Sequence, residues 1–421
     1  MKENKEIHVL YIITKLELGG AQKVCLTLFN GIQNSGYPTH LVSGSQGELA
    51  PTVINSQTHA TKPDAVFFLD SLKREIGIKI IFSEIKAFFS LIKIIRSLKN
   101  KYPQLIIHTH STKAGIFGRW AAFFAGAKKR IHTVHGYGFH EHQPKHQWAI
   151  VYFLEYITSL ITTKFICVSK KDQLEGIRLF PKFEQKSVLI RAAVNWDDFY
   201  MPARTSNISK THDSHTQKQN YTQNITHDFT IGSIACFKPQ KNCLDLLKAF
   251  KLLVQNTQQR PLNQTTCIGF GCGLKLEIIG DGEQRPMLEN WISKNNMSSY
   301  ITLLGWQHDV SKYVKKWDLF ALSSLWEGLP CAIIEARLSK LPIVAYNVGG
   351  ISEVIYDGKN GFLIKPGDWQ DLSKKLETLV MDKKLYTDLS NFPDTILDFK
   401  NENMIKYHVN LYTKLFQKIT S

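Results

Sequence analysis

Short runs of β-branched and aliphatic residues alternate with longer stretches whose apolar positions recur every three or four residues, over almost the whole chain. Ile7–Ile13 reads as a first strand, followed by the text LELGGAQ and a helical pattern on Val24, Leu28 and Ile32. Further strands are expected at Leu41–Ser43, Val66–Leu69, Leu105–Thr109, Arg130–Val134, Phe165–Val168 and Val188–Ile190, with helices at Ile78–Leu98 and Ala114–Phe124 among them. The theme then returns. Strands are expected at Thr230–Ala235, Leu276–Ile279, Ile301–Leu304, Leu319–Leu322, Ile343–Tyr346 and Phe362–Ile364, and helices at Leu244–Leu253, Pro286–Lys294, Pro330–Leu338 and Leu372–Val380. Strand–helix alternation argues for an α/β architecture with parallel, doubly wound sheets. Two Rossmann-like halves of roughly 200 residues are the economical organisation. The first would span residues 1–195 and the second 196–402, joined near Ala192–Tyr200. A terminal segment, 403–421, with a helix at Asn403–Ile419, is free to pack back on the first half.

Two segments break the rhythm. Arg204–Asp228 is rich in Thr, Asn, Gln and His and nearly free of large aliphatics, so a mobile loop is expected. Gln255–Gly273 is a second polar insertion containing Gly269-Phe270-Gly271-Cys272-Gly273. A dinucleotide fingerprint must follow a strand and open a helix; this one precedes a strand and reads as loop glycines.

Composition narrows the class. With 43% hydrophobic and 21% charged residues, the 421-residue chain can build cores without a metal or disulfide staple. The seven cysteines are odd in number and form no C-x-x-C, which fits a reducing cytosol. The start has too short an apolar run for a signal peptide, and nowhere do about 18 apolar residues run together, so no transmembrane helix is expected. The net charge of +16 implies a polyanionic neighbour. From Asp70 to Arg130 there are 13 Lys and Arg against three acids. Within that stretch Ile78–Leu98 joins Ile, Phe and Leu to Lys79, Lys86, Lys93 and Arg96. A helix on an anionic bilayer and a core helix with a basic edge both fit it. A second apolar stretch, Trp148–Ile161, carries only Glu155 and can join the same surface. Nucleic acid is not expected as a partner, because the basic residues lack interleaved aromatics for base stacking.

The chemistry concentrates at Trp326-Glu327-Gly328-Leu329-Pro330 and the helix after it, up to Glu335 and Ala336. Pro330 suits the first helical position, where its missing N–H is no loss. A helix starting there aims backbone amides and a positive dipole end at the carboxyl edge of the sheet, a ready site for a phosphate. Glu327 and Glu335 would flank that phosphate and face sugar hydroxyls. In the first half, Gly19 and Gly20 join a strand to a helix and allow close backbone approach to a diphosphate or sugar. His108-Thr109-His110-Ser111-Thr112-Lys113 and His132-Thr133-Val134-His135-Gly136 each follow an expected strand, hence lie at the carboxyl edge where ligands bind. The four histidines fall in two loops without partnered carboxylates and no Asp-x-Asp occurs, so neither a metal nor a cofactor is expected.

The two glutamates spaced eight apart with GLP between them resemble the signature of retaining glycosyltransferase family 4, which has the GT-B fold. Leu304–Val310, Ile278–Glu283, Val348–Glu353, Asn360–Phe362 and Pro366–Asp368 resemble further segments of that family. The resemblance implies two Rossmann-like domains facing across a cleft. It implies sugar transfer, with retention, from a nucleotide-sugar, a UDP-sugar by preference, to a glycan or polyprenyl-linked acceptor in cell-surface polysaccharide assembly. It assigns the donor sugar to Glu327, the ribose to Glu335, the active-site histidine to His135, the diphosphate to Lys241 and the Gly19–Gly20 turn, and the acceptor side to His110 and Lys113. The amides of Gly328 and Leu329, with Pro330, belong to the same phosphate site. The family's Gly-Arg-x-x-x-x-Lys reads here Ala235-Cys236-Phe237-Lys238-Pro239-Gln240-Lys241, so Cys236 replaces the arginine and Lys238 is the candidate substitute cation. His108 and His132 read as structural. The expected location is cytoplasmic, peripheral on the inner face of the membrane. A GT-B-fold sugar-nucleotide epimerase and a catalytically dead membrane-docking subunit stand as alternatives.

Overall fold

The computed structural model describes residues 6–58, 66–70, 81–202, 228–259, 273–393 and 396–417. The polar tract at 204–227 and the glycine string at 269–272 therefore lie outside the described residues, as do residues 78–80 of the expected basic helix. The chain divides into two compact units, one of Met1–Val194 with Asp398–Ser421 and one of Asn195–Leu397.

The first unit holds a seven-stranded sheet. Its strands are β1 (His8–Ile12), β2 (Thr39–Ser43), β3 (Val66–Phe68), β4 (Leu105–His110), β5 (Lys129–Val134), β6 (Lys164–Cys167) and β7 (Ser187–Leu189). The order is β3-β2-β1-β4-β5-β6-β7 and every pairing is parallel, with Leu10 opposite Ile107 and Ile107 opposite Arg130. β1, β2 and β4 are buried along their whole length, on both faces of the sheet, so their ends carry His, Thr and Ser in the interior. Leu10, Ile12, Ile107, Leu91 and Ile95 form one core with the alanines of helix Thr112–Phe124.

The lone acid of the apolar Trp148–Ile161 stretch has a structural reason. Glu155, on helix Lys145–Ile161, accepts at 2.7 Å from the guanidinium of Arg119, which is fully buried. Arg119 also donates to the Gly115 carbonyl and to Thr162 Oγ1, at 2.8 and 3.0 Å. A buried charge is tolerated only when so completely paired, and this pair fixes the register of two helices. Helix Asn401–Lys414 belongs to this unit: Tyr412 hydroxyl meets Tyr11 hydroxyl at 3.0 Å, and a Cβ on Gly31 would fall 2.3 Å from Ile405.

The second unit holds a six-stranded sheet of β8 (Phe229–Ile234), β9 (Leu274–Ile279), β10 (Ile301–Gly305), β11 (Leu319–Leu322), β12 (Ile343–Tyr346) and β13 (Gly361–Ile364). Its order, β10-β9-β8-β11-β12-β13, is again wholly parallel. Gly232 in β8 leaves room for the buried Trp317 ring, 1.8 Å from where a Cβ would stand. In both sheets the order reverses beside the first strand of the unit, between β1 and β4 and between β8 and β11. Loops leaving such a pair diverge to opposite faces and open a crevice at the carboxyl edge.

Candidate functional site

In the second unit, Lys241 and Glu327 meet at that reversal. Lys241 ends the turn Pro239–Lys241 after β8, and Glu327 lies in the loop after β11. The Lys241 ammonium donates to Glu327 Oε1, with side chains only 18% and 8% exposed. Gln240 Nε2 donates to the Trp326 carbonyl at 2.8 Å, and the Leu325 amide donates to the Gln240 carbonyl at 2.8 Å. Ser323 hydroxyl bonds the Asn242 carbonyl at 2.9 Å. These bonds tie the two loops together, so the ion pair is positioned by backbone. Gln240 and Ser323 escape sequence reasoning because neither residue type signals a contact some 80 positions away.

Helix Cys331–Leu338 starts directly after Glu327-Gly328-Leu329. Pro330, expected as the first helical residue, is instead the N-cap, with an extended backbone at φ −72° and ψ 121°, so the helix begins one residue later. Pro330 itself offers no capping side chain, and the positive dipole end of the helix points to the carboxyl edge. Gly328, Leu329 and Glu335 are buried. Burial replaces the exposed position that the spacing of Glu335 alone would allow. The loop after β12 clamps the Glu327 peptide: Gly350 N–H donates to the Gly328 carbonyl at 2.6 Å. Gly349 takes φ +55°, and a Cβ there would stand 2.2 Å from the Glu327 carbonyl oxygen. Gly349→Ala should lower stability by about 2 kcal/mol, combining left-handed backbone strain with overpacking. A urea-denaturation series checks this, and an unchanged midpoint would refute it.

Lys238 is extended and half-buried at the start of the Pro239–Lys241 turn, with its amide donating to the Cys236 carbonyl at 2.7 Å. Gly282 backs this loop, at φ +154° and with a Cβ position 2.7 Å from the Phe237 carbonyl oxygen.

In the first unit the carboxyl-edge strand ends and helix starts carry Gly19, Gly20, His110, Lys113 and His135; His110 lies in β4 and Lys113 in a helix, not in the expected loop. Gly19 is the N-cap of helix Gly20–Asn34 at φ −99°, so its backbone is not left-handed, and a Cβ there would stand 2.4 Å from Gln22 Oε1. His110 is fully buried at the end of β4, and its Nδ1 meets His135 Nε2 at 3.0 Å. Burial, with the nearby His408 adding, pushes His135 down to about 4. Burial and neighbouring histidines hold His110 well below the usual imidazole range. Behind them His108 bonds Tyr412 hydroxyl at 2.6 Å and Thr133 Oγ1 at 2.7 Å, and His132 bonds Thr109 Oγ1 at 2.9 Å. Lys113, in the first turn of helix Thr112–Phe124, donates to Glu84 Oε1 at 2.5 Å. Among the described residues no three His, Cys, Asp or Glu side chains gather to hold a metal.

Two wholly parallel, doubly wound units are the architecture of the GT-B fold. The family model Glycosyltransferase Family 4 matches residues 18–195, and the model Glycosyl transferases group 1 matches residues 216–392. The two run in tandem over most of the chain, which belongs to glycosyltransferase family 4 and is a glycosyltransferase. Among its relatives, the Escherichia coli UDP-Gal:alpha-D-GlcNAc-diphosphoundecaprenol alpha-1,3-galactosyltransferase is 28% identical over 91% of this chain and 90% of its own. The capsular polysaccharide biosynthesis glycosyltransferase CapM of Staphylococcus aureus is 23% identical over the same shares. Anabaena HepE, solved in complex with UDP-glucose, superposes with a TM-score of 0.71 at 17% identity, over 97% of this chain and 100% of that one.

Proposed function

We propose that the protein transfers a sugar, with retention, from a UDP-sugar to a hydroxyl of a polyprenyl-diphosphate-linked glycan during cell-surface polysaccharide assembly. One observation carries the donor half: the Lys241–Glu327 pair at the sheet reversal, beside a helix start whose N-cap proline has no capping side chain. Without donor the two charges neutralise each other. A diphosphate would take Lys241 and the amides from Gly328 onward, freeing Glu327 to accept from sugar hydroxyls, with buried Glu335 holding the ribose. Lys238 adds positive potential where Cys236 cannot. As the bond to the sugar breaks, charge grows on the departing diphosphate, and preorganised donors stabilise that charge most. On this reading Gly19 and Gly20 are the first unit's own candidates for donor contact. His135 contacts the sugar or the departing oxygen, and His110, which does not reach solvent, acts through it as a positioning residue.

The printed name of the Escherichia coli relative, a UDP-Gal donor and a diphosphoundecaprenol-linked acceptor, supports both substrate classes. The protein works, on this reading, at the inner face of the cytoplasmic membrane. Helix Lys145–Ile161 exposes Ile150, Phe153 and Leu160 by more than half, and Lys86, Lys93 and Arg96 are exposed on helix Ile81–Lys101. Such a mixture suits an anionic lipid surface. Among the described residues no helix is long and apolar enough to cross a membrane.

Incubating the purified protein with a panel of UDP-sugars and GlcNAc-diphospho-polyprenol tests the proposal. UDP release with a glycolipid product of α configuration is expected. An epimerised sugar-nucleotide without free UDP would replace transfer by isomerisation.

A further inference from the structure

Helices Ile81–Lys101 and Thr112–Phe124 pack side by side in the first unit, and an open groove of about 350 Å³ runs between them. Ile85, Phe88, Phe89, Phe117, Trp120 and Phe124 line it. Its walls are fixed. Phe88 packs edge-on against Phe117 and Phe124, at 6.0 and 6.1 Å between centroids, and the Trp120 indole N–H donates to Thr158 Oγ1 at 3.0 Å. Its mouth is nonetheless open to solvent, with Ile85 48%, Phe89 65% and Phe124 54% exposed. Large apolar side chains gathered this way mark a binding surface.

The groove has polarity along its length. Glu84 lines its inner end, and Lys113, in the first turn of helix Thr112–Phe124, holds that carboxylate at 2.5 Å. Just before Lys113, Ser111 holds φ 63° and ψ 154°, a conformation that non-glycine residues avoid and that persists chiefly where function requires it. Its hydroxyl is buried without a hydrogen-bond partner. The start of helix Thr112–Phe124 has no capping side chain and presents its positive end there. From Lys113 the apolar lining continues for about 16 Å to Phe124, taking 1.5 Å per helical residue. An anion that displaces Glu84 would meet the Lys113 ammonium and the helix start at this end, while the rest of the lining is apolar.

We propose that this groove holds a single isoprenoid chain of the acceptor, its phosphate head at Ser111–Lys113 and its chain running toward Phe124. The inference rests on the lipid-linked acceptor of the proposed function and adds where the lipid lies. A head of two phosphates displaces Glu84 from Lys113, exchanging one carboxylate for a stronger anion. Concavity selects one chain over a bilayer, since a flat array of lipids cannot fill a trough walled on both sides.

Farnesyl monophosphate, held below its aggregation concentration, is the probe. It should bind the full chain saturably in calorimetry, and Ile85→Asp/Phe89→Asp should weaken it roughly tenfold or more. Both side chains are exposed, so folding is spared, and Phe89→Leu should bind as the native protein does. For two acceptors sharing one GlcNAc-diphosphate head, the ratio of the KM for a long isoprenoid to that for a short alkyl chain should rise by a similar factor in the double aspartate variant. Equal binding of farnesyl monophosphate by the native protein and that variant, or binding by neither, overturns the groove whatever the acceptor proves to be. If the variant loses sedimentation with anionic vesicles yet keeps its farnesyl monophosphate affinity, the face belongs to the bilayer and the inference fails. An enzyme that glycosylates only lipid-free glycans, while binding the probe through Ile85 and Phe89, would sink the acceptor reading and keep the groove as an isoprenoid site.

Discussion

Lys241→Ala should lower kcat/KM roughly 100- to 1000-fold, a loss of about 3 to 4 kcal/mol of transition-state stabilisation, in the range for removal of one preorganised donor at a developing anion. The size follows from the setting. Lys241 is mostly buried, its loop is bonded to the Glu327 loop, and the N-cap proline of the adjoining helix has no capping side chain. The fall should lie mainly in kcat, because charge on the diphosphate grows as the sugar departs. Lys241→Arg should recover part of the rate by restoring charge. Lys238→Ala should cost less than Lys241→Ala but clearly more than alanine at the exposed Lys374. Steady-state kinetics with donor varied would measure these. If Lys241→Ala changed only KM, the residue would serve ground-state binding alone.

Acid should weaken the first unit selectively. His135 and His408 are each pushed by burial down to about 4, and burial holds His108, His110 and His132 well below the usual range. In the unfolded chain these imidazoles titrate near 6.5. Between about 6.5 and 4 the unfolded state therefore binds protons that the folded state refuses, so stability is fully present above 6.5 and falls as pH drops through this window. A difference of about 2.5 pKa units corresponds to about 3 kcal/mol for one group, and mutual repulsion keeps the sum for the cluster below the separate values. Among the described residues of the second unit, His308 is the only histidine. Urea denaturation at pH 7.5 and pH 5 should therefore show one transition moving to lower urea and the other nearly fixed. His408→Gln should shrink the shift, since His408 packs 5.7 Å from His108 between the sheet and the last helix. Equal movement of both transitions would refute the assignment to this cluster.

The run of apolar residues that announces a strand survives into the structure because parallel strands are covered on both faces, so burial itself writes the signal. Every strand expected from the sequence is present, most with shifts of one or two residues at the ends. The start of helix Cys331–Leu338 was legible for a comparable reason, as proline stops a helix from extending backward. Contacts across the sheet were not legible. Lys241 and Glu327 meet because β8 and β11 are neighbours where the strand order reverses, and no local propensity encodes that adjacency. The pairing of Glu155 with Arg119 turned an apparent blemish in an apolar stretch into a buried clasp. Nothing in the structure explains why Cys236 stands where an arginine is expected.

The chain's own text thus determined the two α/β units, the family, and the residue types gathered at each strand's end, since periodicity and turn chemistry act over a few residues. Tertiary structure alone decided which of those ends converge, that His110 lies out of solvent behind His135, and that a row of phenylalanines walls a trough. Those outcomes depend on packing between segments far apart in sequence, where burial and electrostatic pairing are settled jointly by all the partners.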